Sequence, residues 1–231
     1  MKNVLMIALL VSAMSSCKKS TSDATTPTPI DTLATKPFIQ LNAGSYWKFA
    51  HLSGTDSASA SKDTFKLTVQ NADTLINTYS YKMLSDSAKK YVFYYRTVAD
   101  SNFRRGLFTN IGGGVIPDLE EKYLVNSVVV GGIWSQAFSF KVVTPYPATV
   151  SAVNNYTIKS LDDTLTVAGK LYSHVAKVHL DMNIISPLTA LAGTGDFYYA
   201  RGIGPIKYTL SVNFLTAQVY ENAALLSYYV K

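Results

Sequence analysis

The sequence predicts an all-β protein, an antiparallel meander curled into an open barrel or half-barrel. Three observations carry that expectation. Apolar and polar residues alternate with period 2, turn residues recur at short intervals, and no convincing run of apolar residues falls at helical spacing. In residues 62–70 (KDTFKLTVQ), Phe65, Leu67 and Val69 share one face, while Thr64, Lys66, Thr68 and Gln70 share the other. In residues 206–214 (IKYTLSVNF), Ile206, Tyr208, Leu210, Val212 and Phe214 oppose Lys207, Thr209, Ser211 and Asn213. Val178, Leu180 and Met182 oppose Lys177, His179, Asp181 and Asn183 in the same way. Alternation of this kind sets one face on a core and the other in water. The 16 tyrosines, with many Val and Thr, supply side chains that fit a pleated surface.

Further strands are expected near 46–52, 75–83, 90–98, 103–109, 121–130, 134–144, 149–159, 163–167, 195–201 and 219–230. Breaks are expected at Asn71-Ala72-Asp73, Gly112-Gly113-Gly114, Pro145 to Pro147, Asn154-Asn155, Asp162-Asp163 and Ala168-Gly169, all ordinary turn chemistry. The Ala and Leu content of 217–228 permits a helical turn, although the last residues read as a closing strand. Closed barrel, half-barrel and sandwich all satisfy this pattern.

The first 35 residues read differently. Lys2 is a positive start, residues 4–11 (VLMIALLV) are apolar, and residues 12–16 are short side chains apart from Met14. That layout marks a signal peptide over residues 1–16, its apolar run too short to cross a bilayer about 30 Å thick as a helix. The only cysteine, Cys17, follows directly. Met14-Ser15-Ser16-Cys17 resembles a bacterial lipobox, in which the cysteine is diacylated, the signal is removed before it, and the new amino group is acylated. Met14 stands where Leu is usual. The resemblance implies a lipid anchor at Cys17, and two or more acyl chains make membrane attachment stable. No thiol is then left for a disulfide, a metal or catalysis.

Residues 18–35 (KKSTSDATTPTPIDTLAT) are polar, rich in Ser and Thr, and carry Pro27 and Pro29. A segment like this buries too little to offset its ordering entropy, so it is expected to be a tether. Its eighteen residues reach at most about 60 Å at ~3.3 Å each. One β-domain, 36–231, is expected to follow. The formal net charge is +6, and +5 once Lys2 leaves with the signal (6 − 1). Lys and Arg are mostly spread singly, with Arg104-Arg105 beside Phe103, and they form no basic stripe, so a nucleic-acid partner is not expected.

Several landmarks look familiar in order: LNAGSYWKF (41–49), DTLTVAGKLYSHVAKV (163–178), FYYARGIGPIKYTL (197–210) and the closing LLSYYVK. They resemble a broad set of Bacteroidota-type exported lipoproteins, mostly uncharacterised, with an N-terminal Gly-x-x-Trp strand and a C-terminal Tyr-x-Ala-x-Gly-[Ile/Val]-Gly hairpin. Pro205 departs from the more usual Leu or Met. The resemblance implies an open β-barrel or half-barrel and no established chemistry. Members carried to the cell surface often have an acidic cluster soon after the lipidated cysteine. Here Lys18-Lys19-Ser20-Thr21-Ser22 follows, with Asp23 alone. An outer-membrane anchor with the domain facing the periplasm is therefore expected.

Chemistry is hard to find in the pattern. Gly202 and Gly204 permit a tight reversal, with Lys207 on the solvent face of the strand that follows; no helix start follows to make GIGP a phosphate loop. His179 and Asp181 share a strand face and could be two metal ligands without a third, while His174 falls on the opposite face of a regular strand. Asp118, Glu120, Glu121 and Asp162-Asp163 read as turn residues or a solvated strand start. The doublets Tyr94-Tyr95, Tyr198-Tyr199 and Tyr228-Tyr229 each put one ring on either face, one for the core and one for the exterior or a concavity. No catalytic residue, metal site or cofactor is expected, and ligand-binding residues stay unassigned. The leading expectation is a non-enzymatic, lipid-anchored envelope module that binds an apolar ligand, a glycan or a protein. An envelope enzyme with a site scattered through the sequence, and a purely structural component, stay open.

Overall fold

The computed structural model describes residues 35–86, 92–106, 120–127, 129–142, 148–186, 189–214 and 217–231. The signal peptide, Cys17, most of the tether, Asp118, the triple glycine at 112–114 and Pro145 to Pro147 lie outside the described residues.

Twelve strands form one antiparallel sheet: β1 (Tyr46–Gly54), β2 (Ser61–Ile76), β3 (Tyr79–Ser85), β4 (Val92–Val98), β5 (Ser101–Arg105), β6 (Glu121–Val125), β7 (Ile133–Val142), β8 (Ala148–Val167), β9 (Lys170–Ser186), β10 (Thr189–Ala200), β11 (Gly204–Phe214) and β12 (Ala217–Tyr229). Each strand pairs with its neighbour in sequence, and β1 also pairs with β12. Among the described residues, β6 and β7 are the neighbours without a ladder between them. The result is a nearly closed all-β barrel, with its seam in the middle of the chain. Among the described residues there is no helix, and 217–228 is strand β12.

Period-2 burial places the inward faces. Phe65, Leu67 and Val69 on β2, and Val178, Leu180 and Met182 on β9, are all buried. So are Ile206, Leu210 and Val212 on β11, beside a half-buried Tyr208. Outward positions carry the polar partners, Lys207 among them, half-buried against the Tyr198 ring.

Three expected breaks are corrected. Asn71-Ala72-Asp73 is a bulge in β2, which continues to Ile76, and the reversal falls at Asn77-Thr78 (φ 49° and 72°). Both of those residues are left-handed, as a two-residue hairpin twisted like its strands requires. Asn154-Asn155 lies within β8, paired with Met182 and Asp181, and Asp162-Asp163 lies in the same strand where its register shifts. Ala168-Gly169 is a hairpin turn as expected (φ 48° and 79°).

The start of the domain is tied to the hairpin between β10 and β11. The Trp47 indole donates Nε1–H to the Ile203 carbonyl at 2.6 Å. Its ring lies over Gly204, where a Cβ would stand 3.2 Å from Nε1. Gly202 donates its N–H to the Pro37 carbonyl, and the Arg201 guanidinium covers Phe38 at 4.2 Å. The glycines of the C-terminal hairpin thus seat the tryptophan of the first strand.

Candidate functional site

The chemistry of the domain collects on β3 to β6, on both faces of the sheet. β5 puts Arg104 inward and Arg105 outward, and both are buried. Arg104 stands opposite Tyr95 of β4 and Glu121 of β6 in the register. The Arg104 Nε–H donates to Glu121 Oε2 at 2.6 Å, with the two side chains 6% and 2% exposed. Tyr156 of β8 donates its hydroxyl to the other oxygen, Glu121 Oε1, and accepts from Asn154 Nδ2 at 3.2 Å. Burial opposes the Arg104 charge, but Glu121, Tyr199 and Tyr95 outweigh it and hold the guanidinium pKa well above its usual range. One donor of this group is left over: the Arg104 Nη2 is buried without a hydrogen-bond partner among the described residues.

On the other face, Tyr81 donates to Glu120 Oε1 at 2.6 Å and accepts from Arg105 Nε at 2.8 Å. Arg96 Nε also donates to Glu120 Oε1, and its guanidinium is sandwiched between the rings of Tyr79 and Phe103 at 4.2 and 4.3 Å. Burial pushes the Glu120 carboxyl up, yet Arg96 and Tyr81 bring it below its usual pKa. The expectation that Glu120 and Glu121 are turn or solvated residues is thereby overturned. Each carboxylate is buried or nearly so because a guanidinium and a tyrosine hydroxyl satisfy it.

Inside the barrel, beside Arg104, lies a cavity of about 50 Å³. Its walls include Phe49, Phe65, Phe93, Tyr95, Phe197 and Tyr199. Two of the tyrosine doublets meet here. Tyr95 and Tyr199 are the inward rings, and Tyr94 and Tyr198 are half-buried on the other face. Tyr229 of the third doublet is exposed and pairs across strands with Tyr46, ring centroids 6.2 Å apart. Burial drives the Tyr95 and Tyr199 hydroxyls to high pKa, so both remain protonated.

The seam is held by side chains instead of a ladder. Gln136 of β7 donates Nε2–H to the Glu120 carbonyl at 2.6 Å and accepts from the Lys122 N–H at 2.8 Å. Its amide thus mimics a peptide unit against the β6 edge. Trp134 donates Nε1–H to the Lys122 carbonyl at 2.8 Å and stacks on Tyr156 at 5.1 Å. Trp134 and Gln136 therefore border the Glu121 cluster from the far side of the seam.

The histidines do not assemble a metal centre. His179 has Asp196 Oδ1 at Nδ1 (2.7 Å) and Asp181 Oδ1 at Nε2 (3.3 Å), so the carboxylates sit at opposite ring nitrogens and do not converge on one point. Lys177 takes the second Asp196 oxygen at 2.9 Å. Burial raises the Asp196 pKa, but His179 and Lys177 bring it below the usual value. His174 has φ 52° and pairs with Asp162, so the parity argument for a regular strand does not hold there. Buried His51 pairs with Asp63 at 2.9 Å. Among the described residues no group of three His, Cys, Asp or Glu could hold a metal ion.

No protein-family model matches the chain, and no curated protein does. Two solved structures share its general course. One, from Parabacteroides distasonis and named provisionally as a lipoprotein, is 10% identical, with a TM-score of 0.48 over 84% of this chain and 99% of that one. The other, from Bacteroides fragilis and named provisionally as an exported protein with a YmcC-like fold, is also 10% identical, with a TM-score of 0.40 over 82% and 97%. Likeness at this level concerns the path of the chain and carries no chemistry across.

Proposed function

We propose that this chain is an exported lipoprotein, anchored through Cys17 in the outer membrane and facing the periplasm, whose β-domain is a non-enzymatic binding module. The anchor rests on the sequence order of Lys2, the apolar run, the short residues and Cys17. The binding role rests on one observation, the aromatic cavity against a buried arginine with an unused donor. Aromatic walls with one or two fixed polar groups are the usual make-up of a small-ligand site. A purely structural barrel would gain stability by filling that space with side chains. Glu120 makes a poor acid–base catalyst, because pairing with Arg96 and Tyr81 favours its charged form.

The envelope part is tested by fractionation. Cys17→Ala should move the protein from the membrane pellet to the soluble fraction, since no other strong membrane signal is present in the sequence. Continued sedimentation after a salt wash would remove the anchor. Protease added to intact cells should spare the domain until the outer membrane is permeabilised. Cleavage on intact cells would reverse the orientation.

A further inference from the structure

We propose that the Arg104 cavity binds a short aliphatic monocarboxylate, of the size of acetate or propionate. The inference deepens the binding-module reading and rests on it. Size comes first. A water-sized position takes about 10–15 Å³ of such volume, so about 50 Å³ provides roughly four. Acetate has about that many heavy atoms, whereas a sugar ring or a long acyl chain far exceeds it.

Polarity comes next. Arg104 spends Nε on Glu121 and keeps Nη2 as a buried donor without a partner among the described residues. Tyr95 and Tyr199 also lie within interaction reach of the guanidinium. Their hydroxyl oxygens can accept from Arg104. The Arg104 guanidinium is a donor only, and a carboxylate is an acceptor only. A charge-assisted bond to guanidinium in a nearly dry setting is among the stronger polar contacts available. The other walls are mostly apolar, Phe49, Phe65, Leu67, Phe93 and Phe197 among them, which suit a methyl or ethyl end, with Lys207 also in the lining.

The test titrates the purified full chain with sodium acetate, propionate, hexanoate or chloride at equal ionic strength and fixed pH. Readouts are the thermal midpoint and saturation transfer to the ligand methyl protons. Acetate and propionate should raise the midpoint saturably, as a ligand of the native state alone must. Hexanoate and chloride should not. Arg104→Lys keeps a cation for Glu121 but removes the Nη2 donor, and should weaken acetate by about tenfold to a hundredfold. Should that variant fail to fold, wild-type protein with ¹³C-acetate serves in its place, where methyl contacts to phenylalanine ring protons are expected. The proposal is overturned if chloride matches acetate, if hexanoate matches propionate, if Arg104→Lys responds as wild type does, or if the methyl contacts are absent. Failure of the carboxylates while neutral sugars or apolar ligands raise the midpoint would overturn this ligand class and leave the module standing. Failure of every ligand tried would remove both.

Discussion

Replacing Glu121 by Leu removes one partner of an ion pair whose members are 6% and 2% exposed. At an effective dielectric near 20, opposite unit charges ~4 Å apart attract by about 4 kcal/mol. Losing one member of a buried pair costs about 3–5 kcal/mol, because the survivor keeps its desolvation without compensation. The Tyr156 hydroxyl, which donates to Glu121, would be stranded too, and a buried unsatisfied hydroxyl adds about 1–3 kcal/mol. Glu121→Leu should therefore lose at least about 3 kcal/mol, a large share of the 5–15 kcal/mol typical of a domain. Arg104→Met alone should cost a similar amount. The double variant removes both charges in favour of apolar groups of comparable volume, and should be more stable than either single variant. Urea unfolding followed by tryptophan fluorescence and far-ultraviolet circular dichroism closes this double-mutant cycle. Additive losses in the double variant, or a cost under about 1 kcal/mol for Glu121→Leu, would show that the pair is solvated and that its energetics have been misread.

Gly204→Ala should lower the thermal midpoint more than an exposed substitution does, because φ is +108° and the new Cβ would meet the Trp47 ring at 3.2 Å. A cost of about 1–3 kcal/mol is expected for such strain, and an unchanged midpoint would break the link between hairpin and tryptophan. Glu221 is half-buried, and burial raises its pKa against the opposing pull of His51 and Tyr208. A raised folded pKa means that its contribution to stability is present below the unfolded value near 4.3 and is lost as pH rises through the folded value. Glu221→Gln should therefore stabilise at neutral pH and lose that advantage in acid; the opposite trend would refute the sign. Glu120 and Asp196 have lowered values, so their contributions hold above about pH 4 and are lost on acidification through the folded values. Gln136→Ala should speed amide exchange on β6 without changing the β1–β12 ladder, which peptide-resolved hydrogen exchange would show.

The strands were legible wherever one face is apolar and the other polar, as at Phe65-Leu67-Val69 and Leu210-Val212. Polar pairs misled because turn residues also serve in strands. Asn154 is 1% exposed in β8 and spends its amide on Tyr156, while Asp162-Asp163 sits where the register slips. Neither position needs a reversal. The site was hidden for a different reason. Charged doublets such as Arg104-Arg105 usually face water, and burying them requires partners that lie far along the chain, as Glu121 does from Arg104. A weak signal did exist. In EKYLV, Glu121 is in phase with Tyr123 and Val125, so regular alternation turns it toward the same face as those apolar side chains. The cavity had no such signal, since its walls come from strands that only the closed sheet brings together.

The seam and the site occupy the same part of the barrel, and that placement has a physical logic. The half built from β8 to β12 with β1 has long ladders and holds the Trp47–Ile203 clamp. The half ending at β6 has strands of five to seven residues from β3 onward, an ion pair in place of core hydrocarbon, and an edge bridged by Gln136 and Trp134. Local opening takes the least free energy where ladders are short and apolar burial is interrupted, so it should begin at β6. Glu121 sits on that strand and Arg104 on its neighbour, directly opposite in the register. Opening the seam would disturb the guanidinium before it disturbed the aromatic wall contributed by β1, β2 and β10. A ligand held by Arg104 would therefore close the weakest edge of the barrel by binding, which couples occupancy of the cavity to the integrity of β6.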